Sequence, residues 1–556
     1  MARWAYLFWN SLSGVGLLLG TLAFAAALTP SLIPRTAVNQ GVLAGAGFAI
    51  GYCAGVLLRW LWHYMELPEP RRWLRVVVNV VLALACIAVA AYTLREAAGW
   101  QNDVRALMGM EPVRDARPFT VCGIAVAVFL VLLALARLFA LVFRALSDRL
   151  YRVLPRKVAN VIGAALAILL FWSVVDGAIV RFGLQAIESS AQELDALIEA
   201  DIPRPTSPLR SGAEGSLVAW DDLGRAGRLF VGSGPTSEDI AAFTGRKAKE
   251  PLRIYAGLRA GNTPEERADV ALKELIRVGA FERSNLVVIT PTGTGWVDPS
   301  AMEPLEYLLD GDVASVAQQY SVLTSPMSLL VEPERGAEAA RALFAAVYGH
   351  WRTLPRESRP RFYLHGLSLG ALNSAKSAEL FELIGDPIDG ALWSGAPFES
   401  AFWRDITDRR NPDSPEWLPR FRDGAFVRFM NQDGGNVPEG TPWGPLRVIF
   451  LQYASDPITF FEYRGFFRRP DWMDEPRGPD VSATLRWVPI ITMLQVALDM
   501  AVSTSAPMGY GHLFAPEHYA SGWVELMDID WDAADLARLN AHMRRAPLFG
   551  ADSAGG

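Results

Sequence analysis

Cysteine is nearly absent. The 556-residue chain holds three, Cys53, Cys86 and Cys122, each inside an apolar run and none of them in the larger C-terminal part. That excludes a disulfide framework and a cysteine-based metal site from the region that follows. Charged residues make up only 20% against 51% apolar, too apolar a balance for a disordered chain. Acidic residues are scarce at first: up to Gly183 there are 8 against 17 basic ones, whereas the remainder carries 51 against 35, a net −16. An acidic remainder argues against nucleic acid as its partner. No fixed-period repeat and no G-x-x-x-x-G-K-[ST] phosphate loop occurs, and neither a cofactor nor a metal is expected.

What is present first is hydrocarbon. Five stretches approach the ~20 apolar residues that a bilayer crossing requires: Ser11 to Leu28, Gly41 to Leu58, Val76 to Leu94, Thr120 to Ala136 and Val158 to Val175. The alternative for the first is a cleaved signal peptide, since Arg3 precedes it and small residues end it. Basic residues crowd the second connection (Arg59, Arg71, Arg72, Arg75) and the fourth (Arg137, Arg144, Arg149, Arg152, Arg156, Lys157). Both connections are therefore expected on the cytoplasmic side, with everything after the fifth span outside the cytoplasm. Ionisable residues within the spans are too few for a transport pathway, so the helices are expected to anchor.

Beyond the spans, Leu184 to Ile202 has an amphipathic helical pattern, and Pro203 to Gly215 is rich in Pro, Ser and Gly, as a linker is. From about Pro251, short apolar runs alternate with helical patterns. Leu252 to Ala256, Leu286 to Thr290, Ser328 to Val331, Phe362 to His365, Gly390 to Trp393 and Arg447 to Tyr453 read as strands. Pro264 to Val278, Ala337 to Trp351, Ala371 to Ile384 and Val488 to Val502 read as helices. The fold class expected is α/β: a transmembrane region (1–183), an amphipathic helix and linker (184–250), a domain with a mostly parallel, doubly wound sheet (251–545) and a disordered tail (546–556).

His365-Gly-Leu-Ser-Leu-Gly370 contains G-x-S-x-G, which seats a serine on a sharp strand-to-helix turn. The run Arg361 to His365 enters it as a strand and Ala371 to Leu380 leaves it as a helix, so Ser368 is a candidate nucleophile. A serine hydroxyl becomes nucleophilic only beside a base, and in this topology an acid and then a histidine follow in the chain. Asp456, directly after the strand ending at Tyr453, suits the acid. For the base, His512 on the loop Gly509-Tyr-Gly-His512 is preferred to His518, which is expected on a helix. His365 is expected to pack beneath the turn. An oxyanion requires backbone donors, for which Leu369 and either Thr292 or Gly293, in Thr290-Pro-Thr-Gly-Thr-Gly-Trp296, are placed.

Taken with Leu28-Thr-Pro-Ser-Leu-Ile-Pro-Arg35, Gly279-Ala-Phe281, Thr292-Gly-Thr-Gly-Trp296, Gln319-Tyr-Ser321, Gly390-Ala-Leu-Trp-Ser-Gly395, Ser455-Asp-Pro457 and Gly511-His512, these residues give the chain a family resemblance. It resembles the bacterial membrane α/β-hydrolases, in which a multi-helix membrane region precedes an α/β-hydrolase catalytic domain. The resemblance implies that fold and a serine-hydrolase site at Ser368, Asp456 and His512, and it supplies no substrate. The chain departs from it at Leu367, where a Glu or His is usual, and by having no clear strand before His512.

Aromatic residues crowd two inserts, Pro397 to Trp443 and Ile458 to Met473, where an acyl pocket, a membrane-dipping surface and ordinary core are equally open readings. The expectation is an inner-membrane serine esterase or lipase acting outside the cytoplasm on a lipid or lipophilic ester. A transacylase using the same acyl-enzyme, and a non-catalytic scaffold or transport accessory, are the alternatives.

Overall fold

The computed structural model describes residues 12–68, 71–174, 177, 181–196, 202–378, 385–438, 440–474 and 476–544. The tail expected to be disordered, 546–556, lies outside them. Two units divide the chain: Met1–Ala186 with Phe461–Met473 and Pro479–Val502 form the first, and Ile187–Phe460, Asp474–Gly478 and Ser503–Gly556 the second.

The first unit is helical. Its N-terminal part holds α1 (Gly14–Leu28), α2 (Ala37–Tyr64), α3 (Arg72–Leu107), α4 (Pro118–Leu150) and α5 (Arg156–Val174). Among the described residues α2 to α5 are long and apolar enough to cross a membrane, four such helices where five spans were expected. The exception, α1, has 15 residues, roughly 22 Å at 1.5 Å per residue. Its limits are local: the Ser13 side chain caps its start by accepting the Gly16 N–H, and Thr29-Pro30 ends it.

Glycine lets α1 and α2 approach closely. A Cβ on Gly55 would stand 2.6 Å from the Val15 carbonyl oxygen, and one on Gly51 would collide with the Leu19 carbonyl. In lipid, where apolar side chains gain little by leaving their surroundings, such backbone contact carries helix association.

In the second unit eight strands form one sheet: β1 (Leu252–Ala256), β2 (Asn285–Thr290), β3 (Val313–Gln318), β4 (Arg361–Leu367), β5 (Gly390–Ser394), β6 (Val427–Asn431), β7 (Gly434–Gly435) and β8 (Val448–Leu451). Their spatial order is β1-β3-β2-β4-β5-β8-β6-β7, and every pair is parallel except β6 with the short β7. β1, β2, β3, β5, β6 and β8 are buried along their whole length, as a parallel sheet covered on both faces requires. Both β4 and β8 run toward one edge, and the carboxyl ends of such strands are where ligands bind in open α/β sheets.

Two strand assignments change. Ser328–Val331 is the end of a helix, Ser325–Val331, whose first turn holds Pro326, already at a helical φ. The strand that fills that place is β3, Val-Ala-Ser-Val-Ala-Gln, whose small and polar residues hide it from an apolar-run criterion although Val313 and Ala317 are fully buried. The helix expected over Ala371 to Ile384 is described as Leu369–Ala375, with 379–384 outside the described residues.

Much of the aromatic surplus is core. β6 lies inside the first insert, and its Phe429 stacks on Phe450 of β8 with ring centroids 5.2 Å apart. Trp403, Phe460 and Trp472 are buried as well, while Tyr463 and Phe467 are exposed.

Gly51→Leu is expected to separate α1 from α2. Disulfide trapping between cysteines introduced on facing turns of the two helices, in membranes, should fall at least fivefold, while Gly99→Leu, at a site with open space, leaves it unchanged.

Candidate active site

The turn after β4 holds a backbone conformation that few side chains tolerate. Ser368 sits at φ 57°, ψ −123°, between Leu367 and the helix Leu369–Ala375. Such a conformation costs on the order of 1–3 kcal/mol and persists only where the surroundings enforce it. The flanking glycines provide room: a Cβ on Gly370 would strike the Thr290 carbonyl oxygen at the end of β2, and one on Gly366 would strike the backbone of Gly370. The Ser368 N–H donates to the Ser394 carbonyl at the end of β5, 2.9 Å away. Leu369 begins the helix, so its N–H has no intrahelical acceptor.

Asp456 follows β8 by five residues and is fully buried. Its Oδ1 accepts the Ile458 N–H at 2.9 Å, and its Oδ2 accepts the Thr459 hydroxyl at 3.2 Å. The same Oδ2 lies 2.7 Å from His512 Nδ1. A carboxylate there holds the proton on Nδ1 and leaves Nε2 as an acceptor in the neutral ring. Nε2 is buried and has no hydrogen-bond partner among the described residues.

The His512 loop is tied beside the acid, because the Gly511 N–H donates to the Ser455 hydroxyl at 2.9 Å. Gly395 makes space for the ring. A Cβ at that position would stand 2.5 Å from Cε1 and 2.9 Å from Nδ1 of His512. Since Ser394 takes the Ser368 N–H, the serine and the imidazole flank the same dipeptide, Ser394-Gly395.

His518 does not meet Asp456. It lies on the helix Pro516–Met527, its Nδ1 is 2.5 Å from the Tyr453 hydroxyl, and burial lowers its pKa. His365 is beneath the turn: its Nδ1 is 2.8 Å from the Leu392 carbonyl, its ring meets Tyr519 and Trp523, and burial pushes its pKa down to about 4.

Of the oxyanion candidates, the Thr292 N–H is engaged by the Trp296 carbonyl at 3.0 Å, closing the turn. The Gly293 N–H donates to the Ser325 hydroxyl at 3.2 Å.

Three polar groups beneath the turn were not singled out from the sequence. The Ser394 hydroxyl pairs with the Tyr519 hydroxyl at 2.7 Å. Asp298 caps the helix Pro299–Leu308 by accepting the Ser300 N–H, and burial lifts its carboxyl to about 6 against the opposing Ser300 and Tyr519 hydrogen bonds. Ser394-Gly395 lies in a segment that carried the resemblance without a role. Nothing in the sequence marks Tyr519 or Asp298.

A parallel sheet with a strained serine after a central strand, and an acid and a histidine contributed by later loops, defines an α/β-hydrolase architecture. The chain belongs to the alpha/beta-hydrolase family, which it matches over residues 252–539, and residues 28–235 match that family's N-terminal region. No curated protein and no solved structure matches the chain.

Two predictions follow from these contacts. Gly395→Ala is expected to push the His512 ring off Asp456 and reduce the rate of fluorophosphonate labelling at Ser368 at least tenfold, with Tm in detergent changed by only a few degrees. His365 is neutral in the fold down to about pH 4 but titrates near 6.5 when unfolded, so it favours folding above pH 6.5 and progressively less as the pH falls toward 4. Denaturation of wild type and His365→Asn in detergent should show the stability difference moving by about 3 kcal/mol against the wild type between pH 7 and pH 4.

Proposed function

We propose that the chain is a membrane-anchored serine hydrolase, esterase-like or lipase-like, that cleaves a lipid or lipophilic ester outside the cytoplasm. The observation that carries this reading is the buried Asp456–His512 hydrogen bond, with Nε2 left without a partner among the described residues, beside the residues that hold Ser368. In this reading His512 Nε2 takes the Ser368 hydroxyl proton as the oxygen attacks the ester carbonyl, and Asp456 holds the ring and stabilises its charged form. The tetrahedral oxyanion is met by the Leu369 N–H, with the Gly293 N–H turning to it from the Ser325 hydroxyl while Thr292 shapes the loop. Protonation of the alkoxide releases the alcohol, and water, activated by His512, then releases the acid from Ser368.

Membrane anchoring is supported by α2 to α5 and by a belt of exposed aromatics, Trp60, Trp62, Tyr64 and Trp73, beside the arginines of the second connection. The extracytoplasmic side is supported by the basic second and fourth connections. With both cytoplasmic, α5 leads outward whether or not α1 crosses.

A fluorophosphonate probe on membranes tests the reading. Wild type should be labelled and Ser368→Ala not at all. Ester turnover should fall by roughly 10⁴-fold or more in Asp456→Asn and His512→Ala, and stay within about threefold in His518→Ala. Labelling that persists in Ser368→Ala, or is missing in wild type, overturns it. Release of an acyl ester rather than free acid when an alcohol is added would move the assignment to acyl transfer.

A further inference from the structure

Between the acid and the base the chain leaves the sheet-containing unit. Phe461, five residues after Asp456, begins a stretch that belongs with the N-terminal helices, and Val502, ten residues before His512, ends it; only 474–478 within that stretch belong to the second unit. The stretch ends in the helix Ile491–Ala501, and a fully buried ion pair fastens that helix to the turn after α1.

Asp499 is the centre of the seat. Its Oδ1 lies 2.8 Å from Arg35 Nε, its Oδ2 accepts the Ser31 hydroxyl, and the same oxygen takes the Leu32 N–H at 3.2 Å. The pair is wholly shielded from solvent, both side chains being 0% exposed. One turn earlier, Gln495 donates to the Thr29 carbonyl at 3.0 Å, and Ile491 packs into a cluster with Phe24, Ala27, Leu28, Leu43 and Ala44. The receiving backbone is Thr29-Pro-Ser-Leu-Ile-Pro-Arg35, a motif conspicuous in the sequence and unused by the hydrolytic chemistry. Farther back, the stretch is closed on itself by the Trp487 indole donating to the Gly465 carbonyl at 2.8 Å and the Ile490 N–H donating to the Phe466 carbonyl at 2.9 Å.

An isolated buried charge is costly, whereas one held by an ion pair and two further donors is satisfied. The seat thus has a definite docked state that is lost as a unit when either partner goes. We propose that Arg35 and Asp499 are positioning residues for the acid–base pair: by holding residues 461–473 and 479–502 on the N-terminal helices, they restrain the chain that follows Asp456 and the chain that leads to His512. The membrane helices then contribute to the geometry of the site as well as to its location. The proposal rests on the hydrolase reading for its catalytic consequence, and on chain geometry alone for the restraint itself.

The test uses the full-length protein in detergent with Asp499→Asn, Arg35→Ala and Arg35→Lys. Ester turnover is measured per site titrated with a fluorophosphonate, and amide hydrogen exchange is followed in the peptide spanning 506–513, which contains the Gly511 N–H bonded to Ser455. Asp499→Asn and Arg35→Ala should each lower kcat per titrated site about tenfold with KM within twofold of wild type, and speed Gly511 exchange about tenfold. Arg35 bonds Asp499 through Nε, and its other two guanidinium nitrogens have no partner among the described residues, so one ammonium can replace it. Arg35→Lys should therefore remain within threefold of wild type in both measurements.

A purely structural seat would reduce the fraction of titratable protein and leave kcat per titrated site unchanged. That result, or unaltered exchange at Gly511, overturns the proposal. If the wild type carries no titratable serine, the hydrolase reading fails and the exchange measurement alone decides the restraint.

Discussion

The hydrogen bond between Asp456 and His512 is the interaction on which the candidate site depends. It lies in a part of the protein closed to water, where a carboxylate and an imidazole are costly unless they satisfy each other. Its geometry requires a loop after β8, a glycine at 395 to leave room for the ring, and a loop at 509–512 that bonds back to Ser455. Each of these is present, and together they orient Nε2 without giving that nitrogen a partner among the described residues. The strained Ser368 backbone, enforced by the close approach of Gly370 to β2, has the same character: a local cost sustained by the packing around it.

The helical unit obeys a different balance. Among α1 and α2, glycine brings backbone against backbone, the contact that counts where the solvent is itself apolar. Several buried polar groups of this unit meet at the turn after α1, where Asp499 takes the Arg35 Nε–H, the Ser31 hydroxyl and the Leu32 N–H, and Gln495 donates to the Thr29 carbonyl. The segment seated there is the long insertion that joins Asp456 to His512 along the chain.

The strained turn around Ser368 and an aspartate in the loop after β8 could be read in advance, because glycine spacing and the end of an apolar run are local properties that survive any tertiary arrangement. β3 and the helix Ser325–Val331 were exchanged for the opposite reason. Ala and Ser in β3 are buried because β3 lies inside the sheet between β1 and β2, where helices pack against it, whereas Leu330 and Val331 form an apolar run that ends up largely exposed on a helix. β6 was hidden inside an aromatic insert whose composition suits a pocket and a core equally, and only its pairing with β8 distinguishes them.

From the sequence alone came the apolar N-terminal helices, the alternating α/β texture, the G-x-S-x-G turn and a short choice of partners for it, because these depend on composition and on spacings of a few residues. Which of two late histidines reaches Asp456 was decided by tertiary structure: His518 is held by Tyr453 on its helix, and His512 is free to meet the acid because residue 395, over a hundred positions away, has no side chain. The destination of residues 461–502 was decided there too, since a buried charge such as Asp499 is placed by its partner, and that partner, Arg35, lies more than four hundred residues earlier in the chain.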